Sequence, residues 1–189
     1  MNIDAAIIEQ SKRQDNPNHV DIYVDGSYNS KTEEYGYGVY IDDGKQQQIY
    51  YGHGICVEGG RNVEGEVAAA RIAIEYFKSN PHYKSLTIYY DYNGIGFWPD
   101  KKWRANKAYT IEYAQFVNQI RNNNNLQIDF QHVNGHTGVK GNEYVDKIAK
   151  VACGIKLTQK EKEFLSQLSD VPGFPNDYEI NNDLEYILE

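Results

Sequence analysis

Residues 20–28 read VDIYVDGSY. The β-branched and aromatic run up to Val24 predicts a strand over about 20–25, with Asp25 at its end. Residues 86–91, LTIYYD, repeat the pattern and put Asp91 at the end of a second strand. A globular protein gains no stability from anions at the ends of two adjacent core strands, where repulsion and desolvation are both costly. Two further carboxylates stand on predicted helices. Glu66 opens the alanine-rich segment NVEGEVAAA (62–70), and Asp146 lies in the short helical stretch GNEYVDKIA (141–149). A fifth group, His136, stands ten positions before Asp146. Bound divalent cations reverse the sign of the electrostatic cost, and oxygen-only ligands favour hard ions such as Mg²⁺ or Mn²⁺.

Around these residues the chain alternates strands and helices. Strand patterns at about 20–25, 35–42 and 46–56 are joined by Gly, Asn and Asp turns, which indicates an antiparallel meander. Gly36 and Gly38 alternate with tyrosines in the second of them and suggest close backbone approach or bulges. A helix from Val63 to Ser79 carries Val67, Ala70, Ile74 and Phe77 at core spacing and stops at Asn80-Pro81. Its alanines keep it thin, so that Glu66 can approach a strand end. A strand over 86–91, an aromatic and basic segment over 92–107, a helix over 109–121, a strand over 126–133 and a helix over 141–153 follow. The order βββαβαβα predicts an α/β fold: a mixed five-stranded sheet, three antiparallel strands then two parallel, with helices on both faces.

Each carboxylate has a bland alternative. Asp25 can start an Asp-Gly turn, Glu66 can favour a helix dipole, Asp91 can belong to a turn, and Asp146 can pair with Lys150 at i+4. Taken together and in this order, a metal site explains all four. Two metal ions about 3.5–4 Å apart supply an activated water and charge stabilisation for in-line phosphodiester hydrolysis. Such a pair needs about four carboxylates, one of them bridging. Asp25 is the candidate bridge, because the first strand becomes central in this topology.

The order Asp, Glu, Asp, His, Asp resembles type 1 ribonucleases H. The pieces that carry the likeness are VDGSY (24–28), EVAAA (66–70), GHTG (135–138) and GNEYVD (141–146), and it covers roughly Val20 to Cys153. The resemblance implies a bacterial-like RNase H fold and metal-dependent, largely sequence-independent endonucleolytic cleavage of the RNA strand of RNA/DNA hybrids. It implies two Mg²⁺ ions, with Mn²⁺ as an alternative. Asp25, Glu66, Asp91 and Asp146 would be the ligands, Glu66 and Asp91 near the leaving 3′ oxygen and Asp146 near the attacking water. His136 would assist proton or product traffic from its loop. Arg61 and Asn62 stand where family members touch the minor groove and a DNA phosphate, and Asn93 stands where an amide commonly reads the groove. Val63 and Glu64 depart from the family's polar pattern. Thr137 would add a phosphate contact. A non-catalytic binder, or a DNA-acting nuclease on the same fold, is the alternative reading. A binder gains nothing from four anions facing phosphates.

The segment 97–107 interleaves Trp98 and Trp103 with Lys101, Lys102, Arg104 and Lys107. Cations there would hold phosphates, and indole faces would pack on sugars or bases. A Trp-anchored connection with solvated lysines is the plainer reading of the same residues.

The 189 residues suit one domain with short extensions: an arm over 1–19, a catalytic domain over 20–154 and an acidic, partly helical extension over 155–189. About nineteen residues before the first strand leave no room for the amino-terminal hybrid-binding module of many relatives. The net charge of −8 looks wrong for a partner of a polyanion. Residues 156–189, however, hold three Lys against eight Asp or Glu, a net of −5 that leaves −3 for the rest. Without the four proposed ligands that body is +1. No apolar run approaches the ~20 residues of a membrane span, and the opening residues do not read as a secretory signal. Cys56 and Cys153 read as free thiols of a reducing compartment. A monomeric cytoplasmic protein with no membrane partner is the expectation.

Overall fold

Successive side chains of β1 (His19–Asn29) point to opposite faces of a sheet, and each face buries in different company. Val20, Ile22 and Val24 enter one core, while Tyr23 enters a second. The computed structural model describes residues 16–123, 125–135 and 137–176. His136, the arm up to residue 15 and the extension beyond 176 lie outside them.

β1 pairs antiparallel with β2 (Glu34–Asp42), which pairs antiparallel with β3 (Gln47–Ile55). On its other side β1 pairs parallel with β4 (Ser85–Tyr90), and β4 with β5 (Gln127–His132). The sheet order β3-β2-β1-β4-β5 makes β1 central. Helix α1 (Asn62–Ser79) buries Val67, Ala70, Ile74 and Phe77 against one face, the four positions read from its spacing. The short α2 (Gly94–Phe97) and α3 (Ala108–Arg121) share that core, where the Tyr113 hydroxyl donates to Ile95 O at 2.8 Å. α4 (Lys140–Ala152) covers the other face with Tyr144, Val145 and Ile148. Among the described residues no helix is long and apolar enough to cross a membrane.

Two features differ from the sequence reading. Asp25 does not end its strand: β1 continues to Asn29, because β2 supplies partners from Gly38, opposite Asp25, to Glu34, opposite Asn29. The glycines of this ladder act by close approach. A Cβ at Gly26 would collide with the Asn62 carbonyl and the Glu66 amide of α1, and one at Gly38 would stand 2.7 Å from Val145 O of α4. Both helices therefore reach the sheet backbone beside Asp25.

The second difference lies in the extension, expected as an acidic, partly helical addition to a domain over 20–154: it is helical, and it is packed into the second core. α5 (Gln159–Leu165) and a 3₁₀ turn (Ser166–Leu168) fold onto the α4 face. Leu157, Leu165 and Leu168 are buried there among Tyr40, Ile49 and Ile148, with Phe164 and Phe174 packed alongside. Pro172 O accepts the Ile49 N–H at 2.9 Å, which engages the outer edge of β3. Leu165→Ala should therefore lower stability by about 2–5 kcal/mol in urea unfolding, and a chain cut after residue 157 should not fold to a soluble protein. A Leu165→Ala variant as stable as the parent would make α5 peripheral to the fold.

Candidate active site

Three of the four carboxylates converge. One oxygen each from Asp25, Glu66 and Asp91 lies within 4.8 Å of the others. Asp25 comes from the middle of β1, Glu66 from the second turn of α1, and Asp91 from the residue after β4. Asp25 is 5% exposed and Glu66 1%. The Asp25 Oδ1 accepts the Gly26 N–H at 2.8 Å, while Glu66 Oε2 is buried with no hydrogen-bond partner among the described residues.

Burial pushes the Asp25 carboxyl up to about 7, and repulsion from Asp91 and Asp146 adds to it, against the hydrogen bonds to Glu66 and Gly26. Burial likewise holds Glu66 well above the usual carboxylate range, with Asp25 next in effect. Asp91 is raised chiefly by burial and further by Asp146, with His132 opposing. Three crowded oxygen donors, one of them orphaned, fit a hard divalent cation.

Asp146 stands outside that close group. Its Oδ2 lies 3.1 Å from Lys150 Nζ and 3.7 Å from Lys147 Nζ, so the i+4 pairing foreseen as the plain alternative does form. Its charge still reaches Asp25 and Asp91. His136 lies outside the described residues; Gly135, the residue before it in sequence, lies beside Asp91. A Cβ on Gly135 would stand 3.6 Å from Asp91 Oδ2. The Thr137 hydroxyl donates to Asn134 O at 2.6 Å.

Arg61, Asn62 and Asn93 are exposed, Arg61 just before α1 with φ 53°, and Asn93 at the start of α2. An open cleft of about 670 Å³ runs between α3 and the segment after α2, lined by Trp98, Lys101, Trp103, Arg104, Ile111 and Gln115. Trp98 departs from the expectation of an open indole face. It is 9% exposed and packed in the α1–α3 core, with the Tyr92 ring centroid 5.7 Å away, so it only floors the cleft. Trp103, 41% exposed, carries the open surface. Lys101 and Lys102 are exposed, Lys102 lying 5.3 Å from the Phe97 ring centroid. Lys107 is turned away: its Nζ donates to Glu58 O at 2.8 Å.

Two contributors were missed in the sequence. Glu64 accepts the N–H groups of Val57, Glu58 and Gly60 at 3.0, 3.2 and 2.9 Å, fixing the loop that presents Arg61 and Asn62. Its departure from the family pattern was the available signal. His132 binds Asp91 O through Nε2 at 2.9 Å, a contact set by the register Tyr90↔His132 that no motif announces.

The family model for RNase H matches residues 17–154. The chain belongs to the RNase H family. It is 32% identical over 143 residues to human Ribonuclease H1, a match that takes in 68% of this chain and 48% of that protein. The chain thus spans about half the length of the curated relative it matches. Among solved structures it resembles RNase H1 of the halophilic archaeon Halobacterium salinarum, at 17% identity and a TM-score of 0.54, over 71% of this chain and 96% of that one. It also resembles LC11-RNase H1 in complex with an RNA/DNA hybrid, at 15% identity and a TM-score of 0.54, over 70% and 98% of the two chains. At such identities these structures establish the shared fold.

The raised carboxyls fix the sign of a pH effect. Burial raises the Asp25 carboxyl from its ordinary value of 3.8 to about 7. Its contribution to stability is full below the ordinary value and is lost as pH rises through about 7. In EDTA the protein should melt lower at pH 8 than at pH 5, Mg²⁺ should shrink that difference, and Asp25→Asn should reduce it. Equal melting temperatures at both pH values in EDTA would contradict the crowding inferred for these carboxyls.

Proposed function

We propose that the chain is a metal-dependent endonuclease that hydrolyses the RNA strand of RNA/DNA hybrids, largely without regard to sequence. The observation that carries this reading is the buried Asp25–Glu66–Asp91 cluster with its orphaned Glu66 oxygen, in a member of the RNase H family. Asp25, Glu66, Asp91 and Asp146 would hold two Mg²⁺ ions, with Mn²⁺ able to replace them. Bound there, the ions supply an activated water and charge stabilisation at the scissile phosphate.

Asp25, from the central strand, would be the ligand shared by both ions. Glu66 and Asp91 would serve the leaving-oxygen side, and Asp146 the side of the attacking water. His136, the residue after Gly135, delivers or accepts a proton and helps product leave. Arg61, Asn62 and Asn93 are exposed and would read the 2′-hydroxyls of a shallow minor groove. Thr137 has a hydroxyl oxygen left to accept, and its neighbourhood suits a phosphate contact. Lys101 and Trp103 hold the second strand along the cleft with the exposed Lys102 beside them, Trp98 supports the cleft from below, and Lys107 braces the loop at Glu58. The catalytic domain is residues 20–154, with 155–189 as its extension. The reading carries with it a monomeric, cytoplasmic enzyme, in keeping with the free thiols of Cys56 and Cys153.

Labelled RNA/DNA hybrid, double-stranded RNA and double-stranded DNA, each with Mg²⁺ or EDTA, test the proposal. Cleavage confined to the RNA of the hybrid and abolished by EDTA is expected. Asp25→Asn, Glu66→Gln and Asp91→Asn should each nearly abolish it while leaving a folded protein, and His136→Ala should slow it far less. Cutting of double-stranded DNA at a comparable rate would favour the DNA-acting alternative. Lys101→Ala with Lys102→Ala should weaken hybrid binding. For each phosphate that these lysines neutralise, the slope of log affinity against log salt should flatten by somewhat under about one unit. An unchanged slope would turn this segment away from the nucleic acid.

A further inference from the structure

Lys150 has two anionic partners, and they belong to different parts of the fold. Its Nζ lies 3.1 Å from Asp146 Oδ2, one helical turn back on α4, and 3.3 Å from Glu161 Oε2 on α5. Glu161 is itself held in place. Its Oε1 accepts the Thr158 N–H at 3.2 Å, and its own N–H donates to Thr158 Oγ1 at 3.2 Å, a reciprocal cap at the start of α5. One oxygen of Glu161 is thus tied to the helix cap and the other points at Lys150.

A second lysine repeats the link. Lys147, itself buried, has its Nζ 3.1 Å from Glu143 Oε2 and 3.7 Å from Asp146 Oδ2. The same ammonium stands 5.2 Å from the ring centroid of Phe164 on α5, and that ring stacks on Tyr144 at 5.0 Å. Both ammonium groups that face Asp146 are therefore positioned by side chains of α5. Both also contact the same Asp146 oxygen.

We infer that α5 is a positioning element for the fourth carboxylate, with Glu161 as the residue that decides how readily Asp146 exchanges Lys150 for a divalent cation. The inference rests on the proposed role of Asp146 as a cation ligand. A cation arriving at Asp146 must displace an ammonium, and a displaced ammonium with no other partner is costly to leave unpaired. Glu161 supplies that partner. Lys150 can release Asp146 while keeping its second contact, so the exchange does not strand a charge. The two members of the Lys150–Glu161 pair then act in opposite directions. Loss of Lys150 leaves Asp146 with only the longer contact to Lys147 and favours the cation. Loss of the Glu161 charge leaves Asp146 as the only anion for Lys150 and disfavours the cation. A merely structural salt bridge predicts the same direction for both.

The test is Mn²⁺ binding to the full-length, substrate-free protein, followed by electron paramagnetic resonance of free Mn²⁺, with the Mg²⁺ dependence of hybrid cleavage in parallel. Pairs of this exposure are worth about 0–1 kcal/mol, so shifts of roughly three- to fivefold are expected. Lys150→Gln should tighten the weaker Mn²⁺ constant, and Glu161→Gln, which keeps the capping geometry, should loosen it. Lys150→Arg should stay near the parent. The double variant should match Lys150→Gln alone, because Glu161 acts only through Lys150. If both single variants shift the constant in one direction, or neither shifts it, while Asp25→Asn still removes the tight site, the inference fails and the functional reading stands. If Asp25→Asn leaves Mn²⁺ binding and hybrid cleavage intact, the functional reading fails and this inference with it.

Discussion

Three carboxylates held within 4.8 Å of one another, two of them almost fully buried, are the constraint on which the structure turns. Nothing among the described residues compensates them completely. Burial raises all three carboxyls, repulsion from neighbouring carboxylates, Asp146 among them, adds to it, and one Glu66 oxygen has no partner among the described residues. Folding must therefore drive together groups that resist it, and the apolar cores on both faces of the sheet provide the driving force. The glycines beside the cluster show how tight the fit is. Gly26 admits the backbone of α1 and Gly38 that of α4, so two helices meet the central strand next to Asp25. Any side chain at Gly26 would push Glu66 away from its neighbours. The strain is local to the site and is the kind that a bound cation relieves.

The second core matters as much to the site as the first. α4 carries Asp146, and α4 is clamped by residues beyond the span of the family match. Leu157, Leu165 and Leu168 fill the layer beneath Tyr40 and Ile148, while Glu161 and Phe164 reach the two lysines that face Asp146. The acidic extension thus has an apolar inner face and a charged contact with Lys150. Its net negative charge is only part of what it contributes.

Much of the architecture could be read from local pattern. The helical spacing of Val67, Ala70, Ile74 and Phe77, and the β-branched runs before Asp25 and Asp91, put α1, β1 and β4 in place to within a residue or two at one end of each. Asp25, Glu66 and Asp91 were likewise legible, because anions after apolar strands conflict with burial unless something pairs with them. What escaped depended on contacts distant in sequence. The run of β1 past Asp25 follows from partners on β2, which an Asp-Gly pair reads as a turn. The fate of Trp98 depends on the Tyr92 ring and the helices around it, and composition alone could not separate a buried anchor from an open indole. Glu64 looked like a departure from a binding pattern and proved to be the acceptor for three loop amides. The Leu157–Leu168 segment read as partly helical, but its burial depends on Tyr40 and Ile49, which are distant in sequence.

Crystals grown with Mn²⁺ and measured at the manganese absorption edge address the central claim most directly. An anomalous peak within bonding distance of Asp25, Glu66 and Asp91 together is expected, and it should vanish in Asp25→Asn crystals grown in the same conditions. Manganese bound only elsewhere on the protein, with the three carboxylates still crowded and no peak between them, would contradict the assignment of this cluster as a cation site.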